Sequence, residues 1–265
     1  MEPKTARASA TPAPKPPLSL QRITEAALAQ IDQRGLDAWS LRDVARSLGV
    51  YPTAIYWYVA DKNQLLSEVC ALAMRTVTPP RRKGRWQDWL RELFRRYRKA
   101  MRQHPNLAQL VGARLVSNSS LDASLVEGVL EALEQAGCPD DCIVDAYNTV
   151  IAAMCGFVTL ELAQLPGDDV ERWRDELQQR VRRISALEHP TLARHLPALA
   201  NKSFILRWQG GGERPMERSF EAFVETFVGG LELRIPEWRA PTKAPLAAGG
   251  RKLQNVASAV AKRKP

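Results

Sequence analysis

The stretch LGVYPTAIYWYVADK, Leu48 to Lys62, decides the fold. Tyr51, Tyr56, Trp57 and Tyr58 all fall inside it, and the last three are consecutive. A helix turns about 100° per residue, so it cannot bury three consecutive side chains on one face. Counted from Thr53 at that angle, Ile55, Tyr58 and Val59 share one side, which reads as the core side. Thr53, Tyr56 and Trp57 share the other. Tyr56 and Trp57 are then either aimed outward or buried against another helix of the chain. Pro52 suits the first turn of a helix, and Asp61 can cap the next one. Gly49, in Leu48-Gly49-Val50, stands where a tight turn favours a positive φ.

Upstream, Ser40-Leu41-Arg42-Asp43 opens a helix with capping-box spacing, Asp standing in for Glu. The apolar positions that follow are Val44, Leu48, Val50 and Ile55. The small Ala45 sits where two helices must approach. This is the spacing of a helix-turn-helix, whose second helix enters a groove of DNA. Outward Tyr and Trp side chains there can donate to phosphates and pack on sugars and thymine methyls.

Beyond this core the pattern stays helical. Leu20 to Arg34 sets Ile23, Ala26, Ala27 and Ile31 on one face, and Gly35 closes it. A fourth helix runs from Asp61 to about Thr76, ended by Pro79-Pro80. Trp86, Trp89, Leu90, Leu93, Phe94, Tyr97 and Met101 then recur at steps of three and four, with Arg and Lys outside, until His104-Pro105 breaks the helix. Further helices are expected at 106–117, 121–136, 141–165, 169–187 and 191–200, and from Glu217 to Ile235. No stretch reads as a strand, so the fold class is all-α. Gly210-Gly211-Gly212 lacks the strand-to-helix setting of a phosphate loop.

The chain of 265 residues carries a net charge of +9, unevenly spread. Residues 79–99 hold nine bases and two acids, and the remaining excess lies in the two ends. Residues 1–18 and 236–265 have no periodicity and read as disordered basic tails. Such tails are compatible with nucleic acid. The stretch before Leu18 has no apolar signal core and no run reaches the ~18 apolar residues of a membrane span, so a cytoplasmic protein without membrane partners is expected. TVIAAMCGFVTL, Thr149 to Leu160, reads as a buried helix. The four cysteines read as reduced thiols in or near the core. No nucleophile-and-base set, metal cluster or cofactor loop can be assembled, so neither an enzyme nor a cofactor is expected.

SLRDVARSLGVYPTAIYWYVADKNQLL resembles the DNA-binding domain of the TetR family of repressors. A fainter resemblance to the tetracycline-repressor type of ligand-binding domain continues through WQDWLRELFRRYRKAMRQHPNLAQL, AGCPDDCIVDAYNTVIAAMCGFVTLE and SFEAFVETFVGGLEL. The resemblance implies a DNA-binding domain at 19–78 and a ligand-binding and dimerisation domain at 79–235, flanked by the two tails. It implies that Ser40 meets a phosphate and that Arg42 contacts a base. Thr53 and Ala54 would face base edges, while Tyr56, Trp57 and Lys62 clamp phosphates. At Tyr58 the family often has a DNA-touching His, against the inward reading above. Tyr51 stands where relatives are small, and is expected to mark what is particular about this DNA site.

The resemblance further implies a homodimer on a near-palindromic stretch of double-stranded DNA. Phe220, Phe223, Val224, Phe227, Val228 and Leu231 form the stripe assigned to its interface, with an ordinary core helix as the alternative. A mainly apolar pocket for a small effector is expected among Met101, Leu107, Leu110, Val111, Arg114, Tyr147, Ile151, Met154 and Phe157; nearly all would serve equally as core, and the polar Arg114 and Tyr147 stand out as ligand contacts. Tetracycline with magnesium is not expected, because the family's metal-binding His aligns near Leu110. The implied function is a repressor released from DNA by its effector. The alternative is a dimeric interaction module with no specific DNA site.

Overall fold

A computed structural model describes residues 16–80, 84–113, 122–167 and 169–239. Among these residues eleven α-helices follow one another: α1 Leu20–Arg34, α2 Leu41–Leu48, α3 Pro52–Ile55, α4 Lys62–Met74, α5 Trp86–Gln103, α6 Ala108–Ala113, α7 Ala123–Ala136, α8 Ile143–Glu161, α9 Val170–Arg182, α10 Pro190–Leu199 and α11 Glu217–Arg239. Among the described residues there is no strand.

The first four helices begin and end where their capping chemistry dictates. Ser19 caps α1 by accepting from the Arg22 N–H, and Gly35 closes it at φ 84°. Ser40 accepts from the Asp43 N–H at 3.2 Å, and its hydroxyl donates to the Asp43 carboxylate at 2.6 Å. Gly49 ends α2 in the left-handed region at φ 68°, which glycine adopts without steric cost. Asp61 accepts from the Gln64 N–H at 2.8 Å, and Gln64 accepts in return from the Ala60 N–H at 2.7 Å. One orphan donor of α4 and the N–H just before its cap are satisfied reciprocally.

Ile23, Ala27, Ile31, Val44, Ala45, Ile55, Val59, Leu65 and Val69 fill the core of the small N-terminal domain. That core runs without a break into the larger one, built on Leu90, Leu93, Phe94, Tyr97, Met101, Val150, Phe157, Val224 and Val228. The expected boundary at 78 is thus a change of element and not a gap in packing. A 3-10 turn at Pro105–Leu107 supplies a direct bolt between the domains. The Asn106 amide donates to the Ile31 carbonyl at 2.7 Å, and the His104 ring lies 2.9 Å from the Asp32 carboxylate.

Several boundaries differ from expectation. The third helix ends at Ile55, and Tyr56–Tyr58 continue as turn. The helix assigned to 106–117 divides into the 3-10 turn and α6, and 114–117 lie outside the described residues. The last helix does not stop at Ile235 but runs through Pro236 to Arg239, four residues into the stretch assigned to the tail. Trp238 packs against the core, and Arg239 donates to the Gly137 carbonyl at the end of α7. These contacts hold the last turn although Pro236 removes one ladder bond.

One buried ion pair organises the far end of the bundle. Arg98 meets both oxygens of Glu161, at 2.8 and 2.7 Å, and the pair is almost wholly excluded from solvent. Glu161 also accepts from the Met216 N–H at 2.8 Å. Its backbone carbonyl accepts from the Gly211 N–H at 3.0 Å. A Cβ on Gly211 would come within 2.4 Å of that carbonyl, so glycine at this one position of the run permits close approach to the end of α8.

Candidate functional site

At the tip of the N-terminal domain, α2, α3 and the turn after it form one exposed face. Arg42 and Thr53 are exposed, and Ala54 is half-buried between them and the core. Tyr51 is 83% exposed, Tyr56 55% and Trp57 89%, the heaviest display of aromatic surface among the described residues. Buried Ile55 and Val59 hold this segment down from the other side. An apolar surface of this kind has no reason to stay in water unless something covers it. The outward reading of Tyr56 and Trp57 agrees with this geometry, and their burial against another helix does not.

Tyr58 departs from the inward reading. It is 39% exposed, and its hydroxyl donates to the Leu18 carbonyl at 2.8 Å. Its partner, the Leu18 carbonyl, lies in the segment before α1, outside what the helical angle takes into account. Arg22 donates to the Pro17 carbonyl at 2.8 Å and also reaches Pro16. Residues 16–18 are therefore tied down beside the tip, and residues 1–15 lie outside the described residues.

Ser40 and Lys62 are both engaged within the protein. The Ser40 hydroxyl is spent on Asp43, whose carboxyl this bond holds below its usual range, helped by Arg46 and Arg34. Lys62 donates to the Trp39 carbonyl at 3.0 Å and stands 4.6 Å from the Trp39 ring centroid. Its ammonium keeps two further N–H donors. Trp39, which no sequence pattern singles out, is the buried floor beneath Lys62. Nothing in a lone Trp before a capping Ser announces that role, because its partner lies in another element.

In the larger domain, Met101, Leu107 and Leu110 are fully buried, and Met154 and Phe157 nearly so. Val111, Tyr147 and Ile151 pack half-buried against the same core, and Arg114 lies outside the described residues. Phe157 is a hub, with its ring stacked on Phe223 at 5.3 Å and edge-on to Phe204 and Phe220. A cleft of about 580 Å³ lies elsewhere, between the α4–α5 connector, the first half of α5, and α7. No group of three His, Cys, Asp or Glu side chains among the described residues could hold a metal ion.

Four of the six positions in the interface stripe assigned to α11 require correction. Phe220, Val224, Val228 and Leu231 are buried in the protomer's own core, with Phe223 and Phe227 half-buried against Phe94. A second copy cannot cover what the protomer already covers. α8 shows the opposite behaviour. It is long and apolar enough to cross a membrane by length and composition, yet only 28% of that apolar window is buried. Its inner side, with Ala146, Val150, Met154, Phe157 and Val158, faces the bundle. Val144, Ala152, Gly156 and Leu160 are exposed along the other side. The reading of Thr149 to Leu160 as a wholly buried helix thus holds for one face only.

Comparison with known proteins gives this architecture its context. Residues 23–69 match the family described as bacterial regulatory proteins, tetR family. Residues 78–232 match the tetracyclin repressor-like C-terminal domain. The chain is 29% identical over 189 residues to the HTH-type transcriptional repressor DrrR1 of Streptomyces coeruleorubidus, covering 68% of this chain and 69% of the relative. The crystal structure of the Streptomyces coelicolor TetR family protein ActR in complex with actinorhodin shares the fold, with a TM-score of 0.64 at 22% identity over 83% of this chain and 98% of ActR. BioQ in complex with its double-stranded DNA operator aligns with a TM-score of 0.51 at 29% identity, over 63% of this chain and 97% of BioQ. The chain belongs to the TetR family of transcriptional regulators.

Proposed function

We propose that the chain is a repressor that binds a near-palindromic operator as a homodimer and releases it when a small effector binds the larger domain. The observation that carries this reading is the exposed face of Arg42, Thr53, Tyr56 and Trp57 on a capped helix-turn-helix. Arg42 serves a guanine edge, and Thr53 and Ala54 meet base edges. Tyr56 and Trp57 donate to phosphates on either side, joined by the free donors of Lys62. Ser40 acts indirectly, holding the start of α2 so that its N–H groups point at a phosphate. Residues 1–15, which carry three bases and one acid, add basic charge to the DNA-binding domain. A regulator of this kind works in the cytoplasm and needs no catalytic group.

Release follows from two joints between the domains. Arg96 on α5 donates to the Thr76 carbonyl just after α4, at 3.3 Å. Asn106 holds the last turn of α1. An effector that favours a different setting of these joints moves both ends of the reading head, and it must bind that setting more tightly to do so.

Mobility shift with DNA from beside the protein's own gene tests the reading. Specific binding is expected. Tyr56→Ala should lower affinity by about tenfold, the worth of one phosphate hydrogen bond and its packing. A folded dimer that binds none of that DNA specifically would instead support the interaction module.

A further inference from the structure

Lys62 and Trp39 meet at the edge of the reading head, and each breaks a local rule. Lys62 is the first residue of α4, where a cation opposes the helix dipole, and no acid stands in that first turn. Trp39 is only 3% exposed, and its indole N–H has no acceptor among the described residues. A buried donor left unpaired is destabilising, and a phenylalanine ring would fill a core without one. Where both partners of one contact break such rules, the contact itself has a role beyond stability.

The geometry of the contact accounts for both residues. The Lys62 ammonium lies 4.6 Å from the centroid of the Trp39 ring and donates to the Trp39 carbonyl at 3.0 Å. Indole presents the strongest π-face of the aromatic side chains to a cation. Ring and carbonyl together order a side chain that otherwise keeps much rotamer freedom, so less freedom is lost when a phosphate arrives. The carbonyl takes one of the ammonium's three N–H groups and leaves two. Trp39 also directly precedes Ser40, the cap of α2. The contact therefore ties the start of α4 to the start of α2, the two helices that flank α3 in the chain.

We infer that Trp39 is a positioning residue for operator binding. It is buried and does not touch DNA, and its π-face holds the Lys62 ammonium where a phosphate of the operator meets it. The inference rests on the DNA-binding reading above and adds the residue that sets one of its contacts.

The test uses the full chain with Trp39→Phe, Trp39→Leu and Lys62→Met. Without DNA, the Lys62 ε-CH2 protons, assigned by their absence in Lys62→Met, should be shifted upfield by the ring in the wild type and in Trp39→Phe. In Trp39→Leu they should return to ordinary lysine values. With DNA from beside the protein's own gene, Lys62→Met should weaken binding about tenfold and flatten the slope of log K against log salt by ~0.9, the loss of one phosphate. Trp39→Leu, which keeps the carbonyl and loses the π-face, should weaken binding about fivefold, and Trp39→Phe about twofold or less. In the Lys62→Met chain neither Trp39 substitution should weaken binding further. Equal losses in both backgrounds would make Trp39 merely structural and overturn the inference. An unshifted Lys62 in the wild type overturns it too. Should Trp39→Leu fail to fold, Trp39→Phe carries the same cycle, and a loss that persists in the Lys62→Met chain counts against the inference. Failure of the wild-type chain to bind that DNA sinks the regulatory reading instead, and is read separately from the proton shift.

Discussion

Tyr58 ties the tip of the reading head to the start of the chain through one hydroxyl. Its bond to the Leu18 carbonyl helps to hold residues 16–18, and residues 1–15 of the sequence carry three bases and one acid. Tyr58→Phe keeps the ring and loses the bond. Operator affinity should fall, though less than on deleting residues 1–15, because Arg22 still holds Pro16 and Pro17, with the slope of log K against log salt flattened by ~0.9 for each phosphate no longer neutralised. In the deleted chain the same substitution should change nothing, because the hydroxyl then positions no arm. An equal loss in both backgrounds would mean that Tyr58 touches DNA itself. Tyr51, 83% exposed, supports no neighbour. Tyr51→Ala should alter which operator bases are preferred and shift stability by less than about 0.5 kcal/mol, read by binding selection and urea unfolding. At this scale much of the site is legible in the sequence. Ile55, Val59, Tyr56 and Trp57 lie as the helical angle directs. Tyr58 does not follow it, and the ties of Tyr58 to Leu18 and of Lys62 to Trp39 leave no periodic trace because the partners lie in other elements.

Between elements, the basic face of α5 finds its purpose in α11. Gln87 pairs with Glu232, Arg91 with Glu225, Arg95 with Glu221, and both Arg98 and Arg102 with Glu217. The hydrogen bonds from Arg98, Arg95 and Arg91 hold Glu217, Glu221 and Glu225 below the usual carboxylate range. Depressed pKa values make the sign definite. The ladder contributes in full above the unfolded carboxylate value near 4.5 and is lost as pH falls through the lower folded values. The urea midpoint should therefore drop between pH 5 and pH 3, and the Glu217→Gln chain should show a shallower drop. The Arg98–Glu161 pair behaves differently because it is buried. Glu161→Ala leaves a buried guanidinium with only Glu217 and frees the Met216 N–H, so a loss of about 3–5 kcal/mol is expected in urea unfolding. Replacing both partners, Arg98→Met with Glu161→Leu, should recover much of that loss. The stripe of α11 is visible in the sequence, but its partner is not. Periodicity marks which face is apolar, and says nothing of whether the same chain or a second copy covers it.

For the whole molecule, the question is what covers the outer side of α8. Val144, Ala152, Gly156 and Leu160 form an exposed strip of small and apolar side chains, interrupted by Asn148, on a helix apolar enough in composition to cross a membrane. A helix of that composition is normally buried on every side. The expected occupant is a second copy of the chain, and a twofold axis would set two reading heads about 34–36 Å apart, one turn of DNA. Gly156 gives a clean test. A Cβ there meets nothing within 4 Å, so the protomer itself tolerates a larger residue. Gly156→Arg should thus leave the helical signal and unfolding of the isolated protomer intact while placing a charge in the dimer seam. Light scattering should report a mass near the 29.6 kDa of one chain, against about twice that for the wild type. Operator binding should weaken by more than ~100-fold, since each head then binds its half-site alone. Gly212→Arg, equally open but in the loop before α11, should change neither mass nor affinity. If Gly156→Arg kept the dimer mass, the seam would lie on another face, and the exposed side of α8 would need a different partner to account for it.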